Sequence, residues 1–257
     1  MKSRAHRPKG AARGWLAAGT RGSLRVGRSS RLYFGGIFGP AFHVLRQRAP
    51  EADLRISEMP TMRQLEALRD EQIDIGLGVS VPGEGRTEFS AEPIATHALT
   101  GVLLAHDHPL SARAWLVPGD VAEQPVAVAT GGTTPDIVRY LVAQFGEAGI
   151  LRRPLELVDA PGLLLERVEF DGVLAPAGQT FMAALPRRVV FRPVRGLRVP
   201  YALTARWRRA DPNPLIQELL RALRAAAVGM MHPVVQGDGG RPVSPHPPPP
   251  PDATAAL

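Results

Sequence analysis

The chain has 257 residues, of which 44% are hydrophobic and only 5% aromatic, so its core must be built mostly from aliphatic side chains. It contains no cysteine, which excludes disulfides, thiolate metal ligands and a cysteine nucleophile. The formal charge of +7 lies mainly at one end: residues 1–22 carry +6, residues 229–257 carry −1, and residues 23–228 carry +2. A nearly balanced body is not typical of a nucleic-acid-binding surface.

The two ends of the chain differ from the body in composition. Residues 1–21 mix Arg, Gly and Ala and are predicted to form a basic disordered arm, for which weak contact with phosphates or acidic lipid is the alternative. Residues 227–257 are rich in Gly and Pro and are predicted to form a disordered tail. No apolar run approaches the ~18 residues of a membrane span, and residues 15–18 are too short for a signal-peptide core. We therefore expect a cytoplasmic protein with no membrane partner.

Residues 22–78 alternate strand patterns with helical patterns. Apolar residues at a period of two predict three strands, at residues 24–26, 54–56 and 73–77. Apolar residues at helical spacing between them predict two helices. Because the order is strand, helix, strand, helix, strand, we expect a parallel sheet with helices packed on its faces. Ligand sites in such sheets lie at the carboxyl ends of the strands.

A second alternating unit follows the first and leads into a final strand and helix. The strand candidates from there on are residues 99–105, 125–129, 155–158, 172–176, 189–193 and 201–205. Two successive units predict an α/β fold with two lobes, in which each lobe is a mostly parallel sheet flanked by helices. Lobe I is expected at about residues 22–100 and 200–226, and lobe II at about residues 101–199.

Cap residues mark the starts of three predicted helices. Thr61 and Gln64 fit a capping box, in which each side chain satisfies a free backbone N–H of the first turn. Thr134 precedes a proline at the first helical position, and Gly149 can close that helix in the left-handed conformation. Asn213 also stands before a proline and caps a final helix with an apolar stripe.

Two loops carry hydroxyl groups at candidate ligand positions. Ser29 and Ser30 lie between the first strand and the first helix, where hydroxyls and free backbone N–H groups suit a carboxylate or another anion. The second lobe repeats the arrangement in a loop made of Thr130, Gly131, Gly132 and Thr133. Two such loops facing each other would form an anion-binding clamp. Plain helix capping is the alternative interpretation of these residues.

The remaining motifs predict neither a metal site nor a dinucleotide-binding loop nor a catalytic site. His106 and His108 flank an acidic residue, but no cluster of further ligands accompanies them, so no metal site is predicted. Residues 35–39 are glycine-rich but do not fit the GxGxxG pattern of dinucleotide-binding loops. No Ser/His/Asp set stands in an elbow context and no paired carboxylates stand out. We therefore expect neither an enzyme nor a bound cofactor.

Seven segments, taken in order, carry a family resemblance. They are GSLRVG at 22–27, RQRAPEADL at 46–54, LEALRDEQIDIGL at 65–77, HDHPL at 106–110, FGEAG at 145–149, GVLAP at 172–176 and NPLIQELL at 213–220. In this order they resemble the effector-binding domain of LysR-type transcriptional regulators, over residues 22–226. That domain has the type 2 periplasmic-binding-protein fold, so the resemblance implies a cleft between two lobes. Pro176 would then end a strand that borders the cleft.

The resemblance implies a sensor that binds a small anionic metabolite, such as an organic acid, closes by hinge motion and forms homo-oligomers. In the family a winged helix-turn-helix and a long linker helix precede this domain; neither is found here, so DNA contact is expected only through a domain absent from this chain. Glu71 and Gln72 replace the glycine that usually closes the second helix, and Asp171 stands where a glycine is usual. The alternatives are a solute-binding protein of the same fold and a dimerisation or modulator fragment that acts on full-length regulators.

Overall fold

A computed structural model describes residues 22–30, 34, 36–84, 88–129, 133–178 and 185–231. The strands of this part are β1 (Gly22–Arg28), β2 (Ala52–Glu58), β3 (Ile75–Ser80), β4 (Ser90–Leu99), β5 (Gly101–Ala105), β6 (Ala127–Ala129), β7 (Glu156–Val158), β8 (Ala175–Ala177), β9 (Val189–Pro193) and β10 (Val199–Trp207). The helices are α1 (Phe38–Arg48), α2 (Thr61–Arg69), α3 (Pro118–Ala122), α4 (Pro135–Glu147), α5 (Pro161–Phe170) and α6 (Pro214–Met231). In these ranges, no helix has the length and apolar character needed to cross a membrane.

The first sheet, sheet I, has the strand order β2-β1-β3-β10-β4. Strand β1 pairs in parallel with both β2 and β3, as predicted for residues 22–78, whereas β10 pairs antiparallel with β3 and β4. Helix α2 packs on one face of this sheet, and α1 and α6 pack together near the other. The apolar side chains of β1 and β3 therefore point toward α1 and α6, where Leu24, Val26 and Ile75 are fully buried.

The second sheet, sheet II, is built from the residues between β4 and β10. Strand β5 lies between β8 and β9, and β6 pairs in parallel with β7. A parallel bridge between Val126 and Leu174 joins the two groups, so the strands run β9-β5-β8-β6-β7 across the sheet. Helix α5 packs against sheet II. One continuous apolar core includes buried residues from both sheets, from Leu24 in β1 to Leu174 beside β8.

The chain passes between the sheets where the sequence predicted one uninterrupted strand over residues 99–105. The structure ends β4 at Leu99 and begins β5 at Gly101, and Thr100 donates its N–H to the Ala177 carbonyl at 2.9 Å. The sequence did not predict β4. This strand lies at the edge of sheet I and contains Pro93, and most of its side chains are only partly buried, so no apolar alternation marks it.

Two of the three predicted helix starts are confirmed. The Thr134 hydroxyl accepts a hydrogen bond from the Ile137 N–H, and the Asn213 side chain accepts one from the Leu215 N–H at 3.1 Å. Gly149 closes α4 with φ at 69°, as predicted.

The capping box at α2 is wrong. Pro60 is the N-cap, Thr61 is already helical, and the Gln64 side chain turns under sheet I instead of reaching back to the helix start. The cause is tertiary: glycines in β1 and β3 leave an open surface beneath α2, and the Gln64 side chain fills it.

The described residues also revise the predicted end of the domain. Helix α6 runs to Met231 and so continues past residue 226, because the alanine-rich segment after Leu223 favours helix as strongly as the residues before it. The predicted arm at residues 1–21 and the tail from residue 232 onward lie outside the described residues.

Candidate functional site

A cavity of about 240 Å³ lies at the carboxyl ends of strands from both sheets. Its lining comes from the last residues of β2 and β6, from the residues that follow β1, β2, β6 and β7, and from one residue of β3. These are Ser29, Ser30, Glu58, Met59, Pro60, Thr61, Val79, Ala129, Thr133, Asp159, Ala160 and Pro161. The position agrees with the rule that α/β sheets bind ligands beyond the carboxyl ends of their strands.

Three helices begin at this cavity. Thr61 is the first residue of α2, Pro161 is the first residue of α5, and Thr133 lies two residues before the start of α4. The first backbone N–H groups of a helix lack partners within the helix and carry the positive end of its dipole. Each such end contributes a positive partial charge without a cationic side chain, which favours a carboxylate or another small anion at the helix starts.

The structure brings together some of the predicted site residues. Ser29, Ser30 and Thr133 all line the cavity, so residues from both predicted loops lie at one space. Thr130, Gly131 and Gly132 lie outside the described residues. Pro176 sits in β8 opposite Val102 and is not among the described residues that line the cavity.

Ser29 is held firmly at the end of β1. Ser29 is 5% exposed, and its backbone N–H donates to the Leu77 carbonyl at 2.8 Å. Its Oγ accepts a hydrogen bond from Gln64 Nε2 at 3.3 Å. The Arg28 guanidinium donates to the Ser29 carbonyl at 3.0 Å. These contacts fix the serine before any ligand arrives.

The charged groups at the cavity are acidic. Glu58 forms an ion pair with Arg28 at 2.8 Å, and Asp159 reaches the space from the sheet II side. The described lining contains neither Lys nor Arg. An anionic group would therefore have to be held by hydroxyls and backbone N–H groups, with its charge directed toward the helix starts and away from these two carboxylates.

A smaller apolar chamber adjoins the main cavity. It has a volume of about 60 Å³ and shares Val79, Ala129 and Thr133 with the larger space. Its remaining lining is Val81, Leu99, Ile137, Leu141 and Tyr201. The two spaces together can hold a molecule with one polar end and one apolar end.

Aromatic rings lie beside the apolar chamber. The rings of Phe34, His97 and Tyr201 lie with their centroids 5.8 to 6.2 Å apart. Burial lowers the pKa of His97, so its imidazole is neutral at pH 7. The rings of Phe34 and His97 pack against Tyr201, which lines the chamber.

A buried ion pair approaches the start of α4 from sheet I. The Arg206 guanidinium of β10 contacts the Glu84 carboxylate at 3.0 Å, and the two side chains are almost fully buried. Burial raises the pKa of Glu84 against the opposing charge of Arg206, and the Thr134 hydroxyl donates to the same carboxylate. The residue that caps α4 is thereby tied to the loop after β3.

Sequence reasoning missed several residues of the site. Gln64, Met59 and Val79 gave no recognisable motif, and the capping pattern of Thr61 directed Gln64 to the wrong role. A usable signal was the alternation of glycine in β3, together with Gly27 in β1. A Cβ at Gly76 would lie 2.9 Å from the Gln64 side chain, so glycine at this position makes room for it.

The two histidines considered as metal ligands, His106 and His108, contact neighbouring residues of the same turn. His108 Nδ1 accepts a hydrogen bond from the Leu110 N–H at 3.1 Å and so begins a short 3-10 turn. His106 is exposed and lies 4.0 Å from Asp107. The described part of the chain contains no group of three or more His, Asp or Glu residues placed to hold a metal ion.

A profile of the LysR substrate binding domain matches residues 17–228. The chain belongs to this LysR substrate-binding domain family. The match covers most of the chain and includes every described strand and helix except the last residues of α6. No curated protein sequence matches the chain.

Solved structures of LysR-type effector domains share the fold. The effector-binding domain of a BenM variant gives a TM-score of 0.69 at 17% identity, covering 81% of this chain and 96% of that chain. The BenM domain with its effector benzoate gives 0.66 at 17% identity, over 82% and 94%. The reduced OxyR regulatory domain from Pseudomonas aeruginosa gives 0.61 at 18% identity, over 80% and 99%. The predicted two-lobed, periplasmic-binding-protein-like architecture is confirmed, with sheets I and II at the centres of the lobes. Both sheets are mixed, however, and not mostly parallel as predicted. The antiparallel pairs include those of the strands by which the chain crosses between the sheets, β4 with β10 and β5 with β9.

Proposed function

We propose that this LysR substrate-binding domain senses a small organic acid in the cavity between sheets I and II. The carboxylate would lie against Ser29, Ser30 and Thr133 at the three helix starts, and the apolar part would enter the adjoining chamber. The observation that carries the proposal is the convergence of hydroxyls and helix N-termini on one space at the carboxyl ends of strands from both sheets.

The volumes support a small metabolite. A water molecule needs ~10–15 Å³ of cavity volume, so the 240 Å³ cavity holds on the order of twenty water-sized groups. By the same measure the 60 Å³ chamber holds on the order of five, enough for a short alkyl chain or part of a ring. Benzoate, the effector seen in BenM, combines a carboxylate with an apolar group in the same way.

Calorimetric titration with a panel of carboxylates tests the proposal. The panel would include acetate, isobutyrate, benzoate and succinate, each with its neutral amide. We expect binding of carboxylates with an apolar group, weakened about tenfold by Ser30→Ala because one hydrogen bond to a charged group is lost. Filling the chamber with Ala129→Leu should weaken isobutyrate and benzoate more than acetate.

Ser57→Ala is the matched control for the serine variant. Ser57 is exposed on β2 and is not part of the described cavity lining, so its replacement should leave binding unchanged. If amides bind as tightly as carboxylates, the anionic class is wrong. If Ser30→Ala and Ser57→Ala behave alike for every ligand that binds, the cavity assignment is wrong.

We further propose that the domain self-associates through its sheet edges. Strand β2 ends sheet I and β7 ends sheet II, and each exposes an apolar residue, Ile56 at 41% and Leu157 at 55%. Exposed strand edges with apolar side chains are natural pairing surfaces. Sedimentation equilibrium should show a dimer that Ile56→Lys or Leu157→Lys dissociates. Phe170→Lys changes an apolar residue of α5 that is more exposed, at 71%, and should leave the dimer intact. If Phe170→Lys dissociates the dimer and the two strand variants do not, the interface lies elsewhere.

A further inference from the structure

Gln64 is a buried polar side chain directly beneath the Ser29 loop. It belongs to α2 and is 2% exposed. Its amide nitrogen lies 2.9 Å from the Met59 carbonyl, 3.3 Å from the Leu77 carbonyl and 3.3 Å from Ser29 Oγ. This buried amide therefore joins the residue after β2, the middle of β3 and a serine of the cavity lining.

The partners of Gln64 fix the orientation of its amide. Backbone carbonyls only accept hydrogen bonds, so the nitrogen of the amide, and not its oxygen, must face Met59 and Leu77. The nitrogen has two hydrogens for three acceptors, so one N–H is shared between two of them. Because an amide nitrogen cannot accept a hydrogen bond, Ser29 Oγ can only act as an acceptor toward Gln64. The hydroxyl proton of Ser29 is then directed elsewhere.

Within the described part of the chain, the cavity is the direction left open for that proton. Among the described residues, no acceptor receives a hydrogen bond from Ser29 Oγ. The backbone N–H of Ser29 already donates to the Leu77 carbonyl, and Ser29 lines the cavity. A hydroxyl that accepts from a fixed donor, and whose proton has no acceptor among the described residues, can give that proton to a ligand.

We propose that Gln64 is a positioning residue that makes Ser29 a hydrogen-bond donor toward the cavity. The site is thereby preset for a ligand group that accepts hydrogen bonds, and a carboxylate oxygen is the strongest such acceptor. The inference rests on the proposed function for the class of ligand. The direction of the Ser29 hydroxyl proton does not depend on that class. Gly76 and Gly78 make this placement of Gln64 possible, because a Cβ on either would come within 3.1 Å of the Gln64 side chain.

Neutron diffraction from crystals of the full chain grown in heavy water tests the polarity directly, with no ligand needed. We expect the deuterium on Ser29 Oγ to point into the cavity, with the two amide deuterons of Gln64 shared among Ser29 Oγ and the Met59 and Leu77 carbonyls. A Ser29 deuterium that points at Leu77 or at Gln64 would overturn the inference, whether or not any organic acid binds.

A double-mutant cycle with isobutyrate as the probe tests the consequence for binding. Ser29→Ala and Gln64→Met should each weaken isobutyrate about tenfold, and the double variant should be no weaker than Ser29→Ala, because Gln64 acts only through Ser29. Losses that add would assign Gln64 a merely structural role. Gln144→Met is the matched control, since the Gln144 side chain donates to Glu147 far along α4 and is not part of the described cavity lining. If isobutyrate fails to bind the unmodified chain, the proposed ligand class fails for that probe, and the neutron result still decides the polarity.

Discussion

Replacing Asp74 with asparagine should cause a large, pH-dependent loss of stability. The Asp74 side chain is 1% exposed and accepts hydrogen bonds from the Arg25 backbone at 2.8 Å and from the Arg25 guanidinium at 2.7 Å and 3.2 Å. Arg208 approaches the same carboxylate at 3.3 Å and also pairs with Asp211. Asparagine keeps the shape but removes the charge and turns an N–H₂ group toward arginine donors.

The magnitude follows from the burial of this network. Removing one partner of a buried ion pair costs about 3 kcal/mol or more, because it leaves the other charge without compensation. Both arginines keep some contact with water, so we take the lower end of that range. For a chain of this size, about 3 kcal/mol corresponds to a fall in Tm of roughly 6–12 °C.

The pH dependence has a definite sign. Burial alone would raise the pKa of Asp74, but the hydrogen bonds and charge of Arg25 outweigh it and hold the pKa below its ordinary value. A carboxylate with a lowered folded-state pKa stabilises the protein fully above its unfolded-state pKa of about 4, and the stabilisation is lost as pH falls through the folded-state value. The difference between the native chain and Asp74→Asn should therefore be large at pH 7 and shrink below pH ~4.

Urea unfolding followed by circular dichroism at pH 7 and at pH 3.5 measures both effects. Asp53→Asn is the matched control, because Asp53 pairs with Arg55 on the exposed side of β2 and surface pairs contribute little. Equal losses for the two variants, or a loss at Asp74 that persists undiminished at pH 3.5, would refute the reasoning.

Three further predictions concern the backbone and a second buried pair. Glu71 holds φ at 54°, so Glu71→Gly should raise stability by about 1 kcal/mol in urea unfolding, whereas Asp70→Gly, at φ −81°, should lower it. A Cβ at Gly101 would lie 2.2 Å from a backbone carbonyl of β9, so Gly101→Ala should cost about 3 kcal/mol or more in thermal unfolding; an unchanged Tm would contradict the close approach. Glu84→Gln and Arg206→Met should each destabilise the protein more than the double variant does, since each single change leaves a buried polar group unpaired, and strictly additive losses would count against this.

Local signals in the sequence were enough to predict much of the fold. The alternation of Leu24 and Val26 predicted β1, and the caps Thr134 and Asn213 predicted where α4 and α6 begin. These signals are reliable because a cap or a two-residue period acts within one turn or one strand and needs no distant partner. The ordered motifs also led to the correct family.

Other features could not be predicted because they depend on distant parts of the chain. Strand β4 forms because β10 supplies its hydrogen-bond partners more than one hundred residues later in the sequence, and its own side chains give no periodic signal. Gln64 has the local pattern of a capping residue, yet the glycines of β1 and β3 draw its side chain beneath the sheet. Tertiary contacts outweighed a local preference worth about 1 kcal/mol.

The sequence by itself determined the α/β class, the order of most elements and the loops that carry Ser29, Ser30 and Thr133. It could do so because periodicity, caps and turn residues are encoded locally. Only the tertiary structure decided that these loops meet at one cavity, that an apolar chamber adjoins it and that Gln64 lies beneath Ser29. Those features arise from the pairing of β1, β3 and β10 and from the way two sheets face each other, and such long-range geometry leaves no pattern in a single chain.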